Sequence, residues 1–277
     1  MPESPRVLVD GLCFPEGLRW RDGQLYFSDV FGRRIAAVTP DGVVTDICPS
    51  MTDMPSGLGW RPDGTLLAVG ISRRELLAVE DDGSVRVLAE LAALTTGMCN
   101  DMVVDSTGRA YIGHFGYDYV AGDERQPSTL VLVDFDGSAR VVAAGLWFPN
   151  GMAITPDGAR LLVAETHGQR ISSFVIGSDG SLTDRGVFAE FDDVRPDGIC
   201  LDASGALWMA SPATGQVLRV AEGGRVLDRI DLENGPSCCA LGGSDADSKT
   251  LYVSSGPYHD EAEARSERRG RIVAIDL

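Results

Sequence analysis

Phe14-Pro15-Glu16-Gly17-Leu18-Arg19-Trp20-Arg21-Asp22-Gly23-Gln24-Leu25-Tyr26-Phe27-Ser28-Asp29 reads as a short apolar run, a turn and a second apolar run. An Asp-Gly pair between such runs is a β-hairpin signal. The phrase returns as PSGLGWRPDGTLLAVG from Pro55, CNDMVVDSTGRAYIGH from Cys99, PNGMAITPDGARLLVAE from Pro149, PDGICLDASGALWMAS from Pro196 and CCALGGSDADSKTLYVSS from Cys238. Successive starts lie 40 to 50 residues apart, the period of a propeller blade. Two more apolar runs follow within a repeat, for example 35–38 and 43–47 around Pro40-Asp41-Gly42. Each unit therefore carries four strands. The sixth repeat reaches only a third run, at 271–275, while residues 7–9 offer a spare strand at the N-terminus. The expected fold is all-β: a six-bladed β-propeller of four antiparallel strands per blade, with the N-terminal strand completing the last blade and closing the ring. Residues 1–277 are expected to form one domain, since no Pro/Ser linker interrupts the repeat.

Composition narrows the function. The formal charge is −17, and every basic residue but Lys249 is an arginine. Such a surface repels phosphate backbones, which argues against nucleic acid as a partner. No apolar stretch approaches the length of a membrane span, and residues 1–10 lack the basic and apolar regions of a signal peptide. A cytoplasmic protein with a small-molecule substrate and no membrane partner is expected. The six cysteines form no C-x-x-C pair and sit among apolar neighbours, the pattern of buried thiols rather than of a disulfide framework.

Each repeat opens with a different polar residue: Glu16, Ser56, Asn100, Asn150, Asp197 and Cys239. First strands of a propeller surround its axis, so these six converge on one channel mouth, Cys239 included. Reflection through each hairpin turn places Asp29, Gly70, His114, Glu165, Ser211 and Ser255 opposite them, as a second ring at the same opening. Carboxylates that converge lose hydration and repel, so Glu16 and Asp197 call for a cation. Their oxygens with those of Asn100 and Asn150 make an all-oxygen set for one divalent cation, calcium or magnesium first, with manganese or zinc admitted. Asp and Asn before Gly also form ordinary turns; four oxygen-bearing residues at one repeat phase favour a shared site. His114 is read either as a proton shuttle or as a rim hydrogen-bonding group, with His167 a weaker candidate and His259 in a solvated loop spanning 258–270. Trp147, Phe148, Phe115, Tyr117 and Tyr119 serve either as blade packing or as the wall of a substrate pocket.

The segments Phe14-Pro15-Glu16-Gly17, Asn100-Asp101, Phe148-Pro149-Asn150-Gly151-Met152 and Pro196-Asp197-Gly198 resemble the senescence-marker protein / gluconolactonase / luciferin-regenerating family over the full chain. The resemblance implies a catalytic divalent metal held by Glu16, Asn150 and Asp197, with Asn100 beside it and touching substrate. It gives Asp197 a second role as general acid or base. Met98 stands where sugar-lactone members carry an arginine, His114 where they carry a threonine, and Asp118 where they carry a substrate-contacting glutamate. A metal-dependent hydrolase of the lactonase type, opening a small cyclic ester that is not strongly anionic, is thus expected, with Met98, Asn100, His114, Tyr117, Asp118, Trp147 and Glu165 around the substrate. The rivals are a phosphotriesterase, lyase or isomerase on the same metal, a metal-free synthase using Glu165 as base, and a propeller that binds a ligand without catalysis.

Overall fold

The computed structural model describes residues 4–243, 250–257 and 260–277. Its strands form six four-stranded antiparallel sheets, and five of them run in chain order from axis to rim. The sixth is ordered Pro236–Gly242, Thr250–Ser255, Gly270–Asp276 and then Arg6–Leu12, with Val7 opposite Val273. The N-terminal strand thus supplies the outer edge of the last blade and closes the six-bladed propeller. Apolar side chains gather in six clusters, one at each blade interface. Between blades 6 and 1, for example, Leu18 and Phe27 meet Cys238, Tyr252 and Ile272.

The inner strands touch their neighbours all the way round, and they do so backbone to backbone. A Cβ on Gly17 would stand 2.4 Å from Ser56 O, and one on Gly151 would stand 2.6 Å from Asp197 O. The glycine after the opening residue in blades 1, 2, 4 and 5 is therefore a demand of blade contact, while blades 3 and 6 carry Asp101 and Cys238 there. Gly17 also has a φ of +60°, open to glycine at no steric cost.

Strand register corrects the second ring. Glu16 lies opposite Ser28, while Asp29 lies opposite Pro15; likewise His114 faces Cys99 and Glu165 faces Pro149. A bulge follows the opening residue in these three blades, between Glu16 and Arg19, Cys99 and Met102, and Pro149 and Met152. One extra residue on the inner strand shifts the reflection by one, which moves each side chain to the other face. His114 follows Ile112 on the flank packed against Leu67 and Val69 of blade 2. Glu165 follows Val163 on the flank facing Tyr111 and Leu130 of blade 3. Neither joins the opening ring.

These residues anchor the connections that deliver the opening positions. Asp29 Oδ1 accepts from the amides of Cys13 and Phe14, both at 2.9 Å, just ahead of Pro15-Glu16. Glu165 accepts from Trp147 N at 2.7 Å, ahead of Pro149-Asn150. The Ser255 hydroxyl donates to Asn234 O at 2.8 Å, ahead of Pro236. Gly70 has no side chain to offer, and in blade 2 Asp53 of the connection itself accepts from Arg73 N. Fully buried, Glu165 also pairs with Arg170 at 3.0 Å and Arg185 at 2.7 Å and accepts from Ser172. Burial pushes its pKa up, but these hydrogen bonds outweigh that and hold it below the usual carboxylate range. His114 Nε2 meets Thr129 Oγ1 at 2.9 Å, and burial aided by Arg74 lowers its pKa to about 4.

The segment expected to be a solvated loop contains a helix, Glu261–Glu267, whose N-cap Asp260 accepts from Glu263 N. Asp-x-x-Glu is a capping-box spacing, visible in the sequence. Buried Ala264 and an Arg33–Glu261 pair at 3.0 Å fasten the helix to the fold. His259 lies outside the described residues.

Removing the Glu165 charge strands two arginines. Glu165→Gln should cost roughly 2–4 kcal/mol of unfolding free energy at pH 7, whereas Glu222→Gln, which breaks an exposed pair with Arg160, should cost under about 1 kcal/mol. Urea denaturation of both variants checks this, and equal costs would contradict the anchoring role.

His114 is held neutral, so its folded pKa lies below the unfolded value of 6.5. Its stabilisation is complete above pH 6.5 and is lost as pH falls towards about 4. Glu165, with its folded pKa also depressed, acts in the same sense but lower, below its unfolded value of 4.5. His114→Gln should flatten the fall of stability between pH 6.5 and 4; an unchanged slope there rules out the buried neutral imidazole.

Candidate functional site

Glu16, Asn100, Asn150 and Asp197 sit at the axial end of blades 1, 3, 4 and 5, and hydrogen bonds between neighbouring blades link the segments that carry them. Asn100 Nδ2 reaches Pro149 O at 3.4 Å. Asn150 Nδ2 donates to Thr166 Oγ1 at 3.2 Å, and Thr166 Oγ1 donates to Pro196 O at 2.8 Å, next to Asp197. Gly198 N donates to Ser237 O at 2.8 Å. The Ser237 hydroxyl in turn reaches Pro15 O at 3.4 Å, next to Glu16. Across from blade 1, Arg19 meets Asp101, the residue after Asn100, at 2.8 Å. Asn150 and Asp197 are buried; Glu16 and Asn100 keep partial exposure.

Blade 6 presents Ser237 to the axis, not Cys239. Pro236 pairs with Ser255 as Pro15 pairs with Asp29, so the repeat opens two residues earlier than the Cys238-Cys239 reading placed it. The signal was Pro236 itself, in phase with Pro15, Pro55, Pro149 and Pro196. Cys239 lies buried between blades 5 and 6, its Sγ 3.8 Å from that of Cys200 and 3.5 Å from the carbonyls of Gly198 and Trp208. Burial pushes its thiol far up, which leaves no thiolate for chemistry. Arg19, Asp101 and Thr166 are further residues that repeat reasoning passed over. Arg19 faces inward because the bulge after Glu16 re-aims it, and no other blade has an arginine to betray the position.

Electrostatics distinguish the acids. Arg19 donates to Asp101 Oδ1 and to Met102 O at 2.6 Å, so Asp101 has its counter-ion. Glu16 is raised to about 7, by burial first and by the nearby Asp101 charge, against the bonds from Ser237 and Gly17. Its carboxylate is short of positive charge. Both asparagines have Nδ2 turned to an acceptor, so each leaves Oδ1 as the uncommitted oxygen. Among the described residues no three His, Cys, Asp or Glu side chains are placed to hold a metal; the ring offers two carboxylates and two amides instead. An oxygen-only set with an undercompensated carboxylate fits a hard divalent cation.

An aromatic rim flanks the mouth over blades 3 and 4. Phe115 stacks on Phe148 with centroids 4.4 Å apart, and Tyr117 OH lies 2.9 Å from His167 Nε2. His167, lowered to about 4 chiefly by burial, is thus part of this rim. Tyr119 is 62% exposed, Trp147 38% and Val120 80%. Tyr117 itself is buried, holding the loop 115–127 against blade 4. Asp118 is exposed and accepts from Val120 N and Ala121 N within its own turn. Met98 is half-buried, and its carbonyl accepts from Phe115 N at 2.9 Å. No helix among the described residues is long and apolar enough to cross a membrane.

Known proteins share this architecture and sequence. A pentonolactonase from Haloferax volcanii is 29% identical, with 98% of this chain and 93% of that protein aligned. A 6-deoxy-6-sulfogluconolactonase from Pseudomonas putida is also 29% identical, over 88% of this chain and 82% of its own. Among solved structures, a gluconolactonase from Xanthomonas campestris superposes with a TM-score of 0.79 at 26% identity, covering 98% of this chain and 88% of that one. The family model described as the SMP-30/Gluconolactonase/LRE-like region matches residues 14–257. On its sequence and its six-bladed ring alike, the chain belongs to the SMP-30/gluconolactonase/LRE-like family.

Proposed function

We propose that the protein is a divalent-metal-dependent lactonase that hydrolyses a small cyclic ester at the axial mouth. What supports this is the run of hydrogen bonds that ties together the opening segments of blades 3, 4 and 5, with four oxygen-bearing residues, Glu16, Asn100, Asn150 and Asp197, at the opening positions of blades 1, 3, 4 and 5. The relatives named as lactonases support the reaction class. Glu16, Asn100, Asn150 and Asp197 would hold the ion, calcium being the first choice for neutral amides and two carboxylates. When bound, such an ion polarises an ester carbonyl and favours ionisation of water.

The chain's own residues supply the rest. Asp197 takes a proton from the attacking water at its carboxylate and returns it to the leaving oxygen. Asn100, at the border of the ring, orients the carbonyl. Met98 and Trp147 offer an apolar wall against the ring of the substrate, Tyr117 backs it by holding the loop 115–127, and Asp118 lies on that loop. His114 and Glu165 act at a distance: they fix the strand ends and connections that set the wall in place. A wall of this kind selects a cyclic ester with little charge near the ring.

Dialysis against EDTA should abolish hydrolysis of five- and six-membered lactones, and added calcium should restore it. Asp197→Ala should lower kcat/KM by at least about 100-fold and reduce the metal found by elemental analysis. Full turnover in that variant, or turnover indifferent to EDTA, overturns the proposal.

A further inference from the structure

Resting on that reading of the ring as a metal site, we propose that Thr166 is the positioning residue that fixes which atom of Asn150 faces the ion. The inference follows from hydrogen-bond direction. Pro196 O can only accept, so the single hydrogen of the Thr166 hydroxyl is spent on it, at 2.8 Å. What remains on Thr166 Oγ1 is lone pair, and 3.2 Å away stands the Asn150 amide. The amide must therefore turn Nδ2 towards Thr166, which leaves Oδ1 on its other side. A flipped amide would set Oδ1 against an oxygen with no hydrogen left to give. Asparagine orientation is ordinarily free to follow its surroundings; here one carbonyl, relayed through one hydroxyl, decides it.

The fold does not need this hydroxyl. The equivalent residues after the second strands of the other blades are Val30, Ile71, Phe115, Pro212 and Gly256. The backbone contact at this position does repeat: Val30 N donates to Phe14 O, Ile71 N to Met54 O, Phe115 N to Met98 O and Thr166 N to Phe148 O. That repeating bond serves the propeller, whereas the side-chain relay exists only in blade 4, beneath Asn150. Threonine is suited to it, because branching at Cβ restricts χ1 and holds Oγ1 between its two partners. The same hydroxyl bonds the carbonyl next to Asp197, so it ties two proposed ligands from adjacent blades to one reference point. Groups that orient metal ligands in this way typically change affinity 10–100-fold when removed.

The chain contains only three asparagines, Asn100, Asn150 and Asn234, so asparagine-selective 15N labelling yields a side-chain amide spectrum simple enough to assign by substitution. In metal-free protein the Asn150 pair should stand apart from solvent-exposed amide values, collapse towards them in Thr166→Val and be kept in Thr166→Ser. Calorimetric titration with calcium should show affinity at least about 10-fold weaker in Thr166→Val, near wild type in Thr166→Ser, with the metal-free melting temperature changed little; Thr166→Ala serves if the valine variant misfolds. An Asn150 resonance indifferent to Thr166→Val, or calcium affinity within twofold of wild type, overturns the role. Wild-type protein that takes up no divalent ion would reject the metal proposal instead, and the amide spectrum would still decide whether Thr166 orients Asn150.

Discussion

Backbone contact around the axis is the constraint from which the rest follows. In blades 1, 2, 4 and 5 the inner strand meets its neighbour so closely that the residue after the opening position has no room for a Cβ, as Gly17 against Ser56 and Gly151 against Asp197 make plain. The residue before that glycine is then fixed in direction by two neighbouring blades at once. Side chains on such strand ends are held more rigidly than side chains on loops. A propeller thus gains a preorganised ring of polar groups as a by-product of closing, and what the ring does depends only on which six residues stand there.

The buried charges behind that ring serve the same end. Asp29 and Glu165 do not reach the axis; they grip the amides of Phe14 and Trp147, two and three residues before the opening Glu16 and Asn150. An isolated buried carboxylate is expensive, and Glu165 is tolerated because Arg170, Arg185, Ser172 and Trp147 all donate to it. Phe148, between that grip and Asn150, has a φ of +58°, a conformation disfavoured for an aromatic residue. Strong anchoring on one side and inter-blade contact on the other hold it there.

Much of this was legible in the sequence, because the period, the turn pairs and the spare N-terminal run are local patterns that the fold does not override. The opening residues of blades 1 to 5 were legible for the same reason. The second ring was misplaced because hairpin reflection assumes an even ladder, and the bulge after Glu16 leaves no mark on composition. Cys239 was given Ser237's place by alignment on a cysteine pair instead of on Pro236. Arg19 and Thr166 were beyond repeat arithmetic altogether: each occurs in one blade only, and its partner, Asp101 or Pro196, lies in a different blade. Non-repeating residues carry no periodic signature, yet they adapt a generic ring to a specific site.

Arg19 shows what such adaptation achieves. Three carboxylates approach the axis, Glu16, Asp101 and Asp197, in a chain already carrying a formal charge of −17. Left to themselves they would present three negative charges to a divalent ion, and mutual repulsion would protonate one of them. The guanidinium bound to Asp101 at 2.8 Å offsets that charge in part inside the ring. Two carboxylates and two neutral amides make up the proposed ligand set, whose charge matches that of a divalent cation. Lysine would serve less well here, because Arg19 reaches Asp101 and the Met102 carbonyl with one nitrogen and Leu18 O with another, a spread that the planar guanidinium fork allows and a single ammonium does not.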